Sequence, residues 1–187
     1  MSKLGMDASG LRVALVAPPM DFMRELYGFR GQKVYRNQMP LGIGFIAAVL
    51  REAGHRVFLF DCAAQGWDIE TSVRHVLDCR PDVIGVTSIS MEAPSAYALI
   101  RALKSQSDVF CVLGGSHANS FYKEIPEQCP ELDAIVVGEG EYTMAELCDR
   151  IESGGGLDSV AGLVHRREDG TFSAFRERPL VADLDDL

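Results

Sequence analysis

Asp82-Val-Ile-Gly-Val-Thr-Ser-Ile-Ser-Met91 decides how this chain is read. Val83 to Val86 is a short apolar, β-branched run entered from Arg80-Pro81, and it suits a strand buried on both faces of a parallel sheet. The chain turns polar at Thr87, Ser88 and Ser90. Pro94-Ser95 then opens a helix with apolar positions at Tyr97, Ile100 and Leu103. Small hydroxyl residues at the carboxyl end of a central strand stand where open α/β sheets take their ligands.

Outward from this strand the same alternation repeats. Leu11 to Ala17 reads as the first strand, ended by Pro18-Pro19, which have no backbone N–H to donate. Leu41 to Ala53 reads as a helix introduced by Pro40 and stopped by Gly54. Its apolar positions nearly surround it, which predicts deep burial. Arg56 to Cys62 is the second strand, and Asp68 is placed to cap a helix over Ile69 to Cys79 with Ile69, Val73, Val76 and Leu77 inward. Val109 to Leu113 is the fourth strand, running into Gly114-Gly115-Ser116-His117. A short helical region around Asn119 to Glu127 leads to a fifth strand, Ala134 to Val137, which ends in Gly138-Glu139-Gly140-Glu141. Thr143-Met-Ala-Glu146 reads as a capping box that starts a helix reaching about Ile151.

Strand then helix, five times over, demands right-handed crossovers. The prediction is an α/β fold: a five-stranded parallel sheet in the flavodoxin-like (Rossmann-like) order 2-1-3-4-5, with its switch point between the first and third strands. After Gly154-Gly-Gly156 the character changes. Val160 to Arg166 and Thr171 to Phe175 flank Glu168-Asp169-Gly170, a β-hairpin signal, and an acidic tail follows from Pro179. The organisation expected is a flexible leader over 1–10, an α/β domain over 11–153, and a hairpin and connector over 154–187.

Composition narrows the function. A formal net charge of −9 disfavours nucleic acid and anionic membranes as general partners. Residues 1–10 lack the apolar core of a signal peptide and no run approaches spanning length, so a cytoplasmic protein is expected. The 5 cysteines (62, 79, 111, 129, 148) include no Cys-x-x-Cys pair, and buried reduced thiols are the better reading. No metal-ligand set and no catalytic residue are assigned.

Met20 to Met39 is too long for an idle connection. In an acidic chain it carries Arg24, Arg30, Lys33 and Arg36, interleaved with Phe22, Tyr27, Phe29 and Tyr35. A flap packed by its own aromatics and a lid over a flat or anionic ligand stand about even. The strand ends collect small residues: Thr87 to Ser90, Gly114-Gly115 and Gly138-x-Gly140. Glycines let a ligand approach the backbone, and several along one rim point to a ligand edge. Known phosphate signatures fail there. No Gly-x-x-x-x-Gly-Lys occurs, the dinucleotide fingerprint lacks its third glycine, and Pro18-Pro19 replace the donors a flavin phosphate loop needs. Glu139 and Glu141 read better as helix-N-terminal carboxylates than as an acid/base pair. His117 reads better as a hydrogen-bonded structural histidine than as a ligand to metal.

With those residues in place, the chain resembles the N-terminal cobalamin-binding domain of cobalamin-dependent radical S-adenosylmethionine enzymes. The ordered matches are Val13 to Pro19, Pro40 to His55, Asp82 to Ser88, Leu113 to Ala118 and Val137 to Glu141. The resemblance implies that cobalamin is bound through Met39, Leu41, Gly42, Thr87, Ser88, Ser90, Met91, Gly114, Gly115, Ser116, His117, Gly138, Glu139, Gly140 and Glu141. Its nucleotide tail would enter between the first and third strands against Ser88, Ser90 and Gly114-Gly115. The corrin would rest on the loops after the first, second and fifth strands. The Asp-x-His-x-x-Gly motif that supplies an axial imidazole in cobalamin mutases is missing, and no His precedes His55. The implied form is base-off cobalamin with no His beneath the cobalt. Removing a strong nitrogen donor favours the reduced, four-coordinate cobalt that accepts a methyl group. The cluster motif Cys-x-x-x-Cys-x-x-Cys is also missing. S-adenosylmethionine and a 4Fe-4S cluster are therefore expected only in a parent enzyme, a methyltransferase or radical cyclase whose catalytic domain is the expected partner. The rival is a cofactor-free interaction domain of the same fold that docks a catalytic barrel.

Overall fold

A computed structural model describes residues 10–20 and 40–180. β1 (Arg12–Ala17), β2 (Arg56–Asp61), β3 (Val83–Thr87), β4 (Phe110–Gly114), β5 (Ala134–Val136) and β6 (Leu163–His165) form one sheet in the order β2-β1-β3-β4-β5-β6. The pairings among β1 to β5 are all parallel, as the alternation requires. The sixth strand corrects the five-stranded expectation. The first arm of the expected hairpin also pairs antiparallel with β5. Its reason is burial: Leu163, Val164 and His165 are all buried, and they cover the edge that the short β5 would otherwise leave open. The returning arm stays on the first through the bridge Arg166–Phe172, with the N–H of Arg167 donating to Thr171 O at 2.7 Å and that of Ser173 to His165 O at 2.8 Å.

Among the described residues six helices flank the sheet: α1 (Leu41–Glu52), α2 (Ile69–Asp78), α3 (Ala93–Lys104), α4 (Ser116–Phe121), α5 (Ile125–Gln128) and α6 (Glu141–Ser153). α1 and α6 close one face over Val13, Leu15, Val112 and Val136. α2 and α3 close the other over Val16, Ile84, Val86 and Leu113. Val83 to Val86, in the middle, is fully buried. The Asp68 carboxylate accepts the Thr71 N–H at 2.8 Å, which is the expected cap. The N–H of Arg12 donates to Asp82 Oδ2 at 2.7 Å and so ties the start of β1 to the start of β3. Among the described residues no helix is long and apolar enough to cross a membrane.

Two local expectations are corrected. α1 is not deeply buried: only Ile43, Ala47 and Leu50 are, while Leu41 is 66% and Phe45 49% exposed. A helix laid on a sheet buries one stripe, and the surplus apolar positions of α1 fall off that stripe. Thr143 caps nothing. The helix begins at Glu141 behind Gly140, because Gly138, at φ +91°, turns the chain early. Thr143 sits inside α6, and its hydroxyl faces the carbonyls of Glu139 and Ala161 at 3.4 and 3.3 Å. The cysteines are free thiols, with 62, 111, 129 and 148 buried. Burial pushes Cys111 and Cys148 up to about 12 and Cys129 to about 11, so these thiols are inert.

Candidate functional site

Side chains alternate across a strand, so β3 turns Val83, Gly85 and Thr87 toward α1 and α6 while β4 turns Phe110, Val112 and Gly114. Two of these positions have no side chain, and they leave a hollow at the carboxyl end of that face. The cavity is about 280 Å³. Gly85, Thr87, Val112, Gly114 and Val136 line its floor, Ile43 and Ile46 of α1 and Met144 of α6 its walls. Gly42, Gly115 and the turn from Gly138 to Glu141 form its mouth.

The glycines serve different ends. A Cβ on Gly85 would meet Leu15 Cδ2 at 2.9 Å, so the absent side chain there lets Leu15 pack. A Cβ on Gly114 would meet only Val136 Cβ, at 3.9 Å, and one on Gly42 would meet nothing. Those two positions border open room. Gly115 has φ +93°, and a Cβ would lie 2.6 Å from Ser88 O. Asn119 Oδ1 accepts the N–H of Gly138 at 2.8 Å and pins the β5 turn.

The sequence-derived residues divide into two groups. Gly42, Thr87, Gly114, Gly115, Gly138, Glu139, Gly140 and Glu141 come together at the cavity. Ser88, Ser90, Ser116 and His117 gather instead at the start of α4. Ser88 is buried and its hydroxyl donates to Ile89 O at 2.8 Å. His117 is buried between Tyr97 Oη, 2.7 Å from Nε2, and Ser90 Oγ, 3.2 Å from Nδ1. Leu41 and Met91 are exposed. Met39, and the residues 21–39 with it, lie outside the described residues. The apolar lining (Leu15, Ile43, Ile46, Val112, Val136 and Met144) was not anticipated, nor was Gly85. Only Gly85 gave a signal: a glycine inside a β-branched strand marks a close approach.

The mouth of the cavity is acidic. Glu139 and Glu141 stand there, and among the described residues no Lys, Arg or His lines the cavity. Glu141 Oε2 is buried with no hydrogen-bond partner among the described residues. Among those residues no cluster of His, Cys, Asp or Glu is grouped to hold a metal ion.

Burial lowers the pKa of His117 and of His165 below the ordinary 6.5. For His165 the Asp158 carboxylate opposes this and Arg167 adds to it. Below pH 6.5 the unfolded chain therefore binds protons that the folded chain refuses, and stability rises with pH through that window. The midpoint of urea unfolding is expected to fall as pH drops from 7 toward 5, by less in His117→Asn than in the wild type. A flat profile in the wild type would contradict this.

Comparison with known proteins places this geometry. Over 179 residues the chain is 29% identical to an uncharacterised methyltransferase of Pyrococcus horikoshii, covering 95% of this chain and 37% of that protein. It is 29% identical over 172 residues to the anaerobic magnesium-protoporphyrin IX monomethyl ester cyclase of Rubrivivax gelatinosus, covering 88% and 30% respectively. The chain thus spans about a third of the length of these curated relatives. Among solved structures, the radical S-adenosylmethionine methyltransferase TsrM from Kitasatospora setae, with cobalamin and a 4Fe-4S cluster bound, superposes with a TM-score of 0.74. At 20% identity over 94% of this chain and 30% of that one, this likeness is one of fold. The profile of the B12 binding domain matches residues 29–148, taking in α1, the strands β2 to β5 and most of α6. With its cavity at the carboxyl edge of a parallel sheet, the chain belongs to the B12-binding domain family.

Proposed function

We propose that this chain binds cobalamin base-off, with no His beneath the cobalt, and serves as the cobalamin domain of a radical S-adenosylmethionine enzyme. One observation carries the reading: an apolar cavity floored by Gly85 and Gly114, open at the edge where this family's fold takes its ligand. The nucleotide tail enters between α1 and α6, over β3 and β4. The corrin rests on the loops at the mouth. The rival, a cofactor-free docking domain, expects this edge filled by side chains, and the open room at Gly42 and Gly114 weighs against it.

Base-off cobalamin supplies a cobalt centre that can carry a methyl group. The residues of this chain hold the tail, keep water from it with Ile43, Ile46 and Met144, and offer no imidazole from residues 20–39, where no His occurs. Likeness to a methyltransferase and to a cyclase supports a parent enzyme of one of those two kinds. Its catalytic domain, with S-adenosylmethionine and a 4Fe-4S cluster, would be the partner of this one.

Hydroxocobalamin mixed with the purified chain and desalted is expected to leave a coloured protein with a base-off visible spectrum. EPR of the Co(II) form is expected to show no nitrogen splitting from an axial ligand. A colourless protein, or a base-on spectrum, would contradict the proposal.

A further inference from the structure

Glu141 is the first residue of α6 and lines the mouth of the cavity. Its place in the first turn accounts for a negative charge there. It does not account for Oε2, which is buried and lacks any hydrogen-bond partner among the described residues. A buried carboxylate oxygen without a donor is costly, and a native structure keeps one where something else supplies the donor. An ionised carboxylate accepts hydrogen bonds and donates none. Among the described residues no cationic side chain lines the cavity to meet this oxygen. The group this oxygen awaits is therefore a donor from outside the described residues, and a ligand hydroxyl or amide N–H supplies one.

We propose that Glu141 is a specificity-determining residue: its buried oxygen accepts a hydrogen bond from a ribose hydroxyl of the cobalamin tail. This rests on the cobalamin reading above. It makes Glu141 a sensor of the tail, with no part in holding the corrin.

The test is equilibrium titration of the wild type, Glu141→Ala and Glu141→Gln with two probes. One is hydroxocobalamin. The other is diaquocobinamide, which keeps the corrin and its amides and lacks base, ribose and phosphate. Glu141→Ala is expected to weaken hydroxocobalamin about tenfold, equivalent to ~1.4 kcal/mol, and to leave cobinamide within about twofold. Glu141→Gln retains an acceptor oxygen and is expected to recover most of the loss. Equal weakening on both probes would mean the donor is a corrin amide, and no weakening on either would mean the oxygen has no ligand; each overturns the proposal. Should Glu141→Ala fail to fold, Glu141→Asp, which withdraws the carboxylate by one methylene, carries the same comparison and is overturned by the same two results. Failure of the wild type to bind hydroxocobalamin is distinguishable from both, since it sinks the cobalamin reading before any variant is compared.

Discussion

Gly114→Leu is expected to weaken hydroxocobalamin binding by roughly a hundredfold or more, about 2.7 kcal/mol, while the cofactor-free protein still folds. Gly114 closes β4 on the face turned toward α1 and α6, and it lines the cavity floor. A Cβ there would meet only Val136 Cβ, at 3.9 Å, so the backbone accepts a side chain. The remaining atoms of a leucine would then stand in the 280 Å³ that the nucleotide tail needs. Because the new side chain fills a hollow between apolar walls, thermal stability should hold or rise slightly. Titration beside a melt of the apo protein separates the two effects. Unchanged affinity in a folded variant would mean the cavity does not receive the ligand.

The neighbouring glycine fails for the opposite reason. Gly115→Ala is expected to destabilise the cofactor-free protein by about 2–4 kcal/mol. Gly115 has φ +93°, a region where a Cβ is strained whatever the space. Here there is also no space: the Cβ would lie 2.6 Å from Ser88 O and 2.9 Å from both Ser88 N and Thr87 Oγ1. Those atoms cannot move freely, since Ser88 N–H donates to Gly114 O and Ser88 O accepts the N–H of His117, both at 3.0 Å. Gly138 supplies the control. It has φ +91° with nothing within 4 Å, so Gly138→Ala should cost only the backbone strain, about 1–2 kcal/mol. Urea denaturation of the two variants, compared with the wild type, checks both values. A loss below about 1 kcal/mol for Gly115→Ala would show that the β3–β4 junction yields more readily than close-packed backbone should.

Much of this arrangement was legible in the chain. Val83 to Val86 reads as a doubly covered strand because nothing polar interrupts it, and the repeated strand–helix alternation leaves few topologies. The β2-β1-β3-β4-β5 order follows from that alternation. β6 did not follow, because Leu163 to His165 beside Glu168-Asp169-Gly170 carries the local signature of a hairpin. What pulled it to β5 was a tertiary demand, the open edge of a strand of 3 residues. Thr143 misled for a related reason: a box of the right residues marks a helix start only where backbone turns have not already started the helix.

The site was legible where glycine or a carboxylate marks the mouth, at Gly42, Gly114, Gly115 and Gly138 to Glu141. It was less legible at the hydroxyls. Ser88 and Ser90 sit at the carboxyl end of the central strand, but period-2 alternation does not continue past Thr87 once the chain turns. Ser88 spends its hydroxyl on a backbone carbonyl and Ser90 faces His117. The apolar walls carry no signature of their own: Ile43, Ile46 and Met144 look like any core-facing residues of α1 and α6 until the missing side chains at Gly85 and Gly114 give them a hollow to surround.

The most direct measurement is a crystal structure of this chain grown with hydroxocobalamin. Density for the detached benzimidazole and its ribose is expected between α1 and α6, over Gly114 and against Ile43, Ile46 and Met144, with no protein nitrogen on the lower face of the cobalt. Cobalamin bound with its own base still on the cobalt, and the cavity over Gly114 left without it, would contradict the assignment of this cavity.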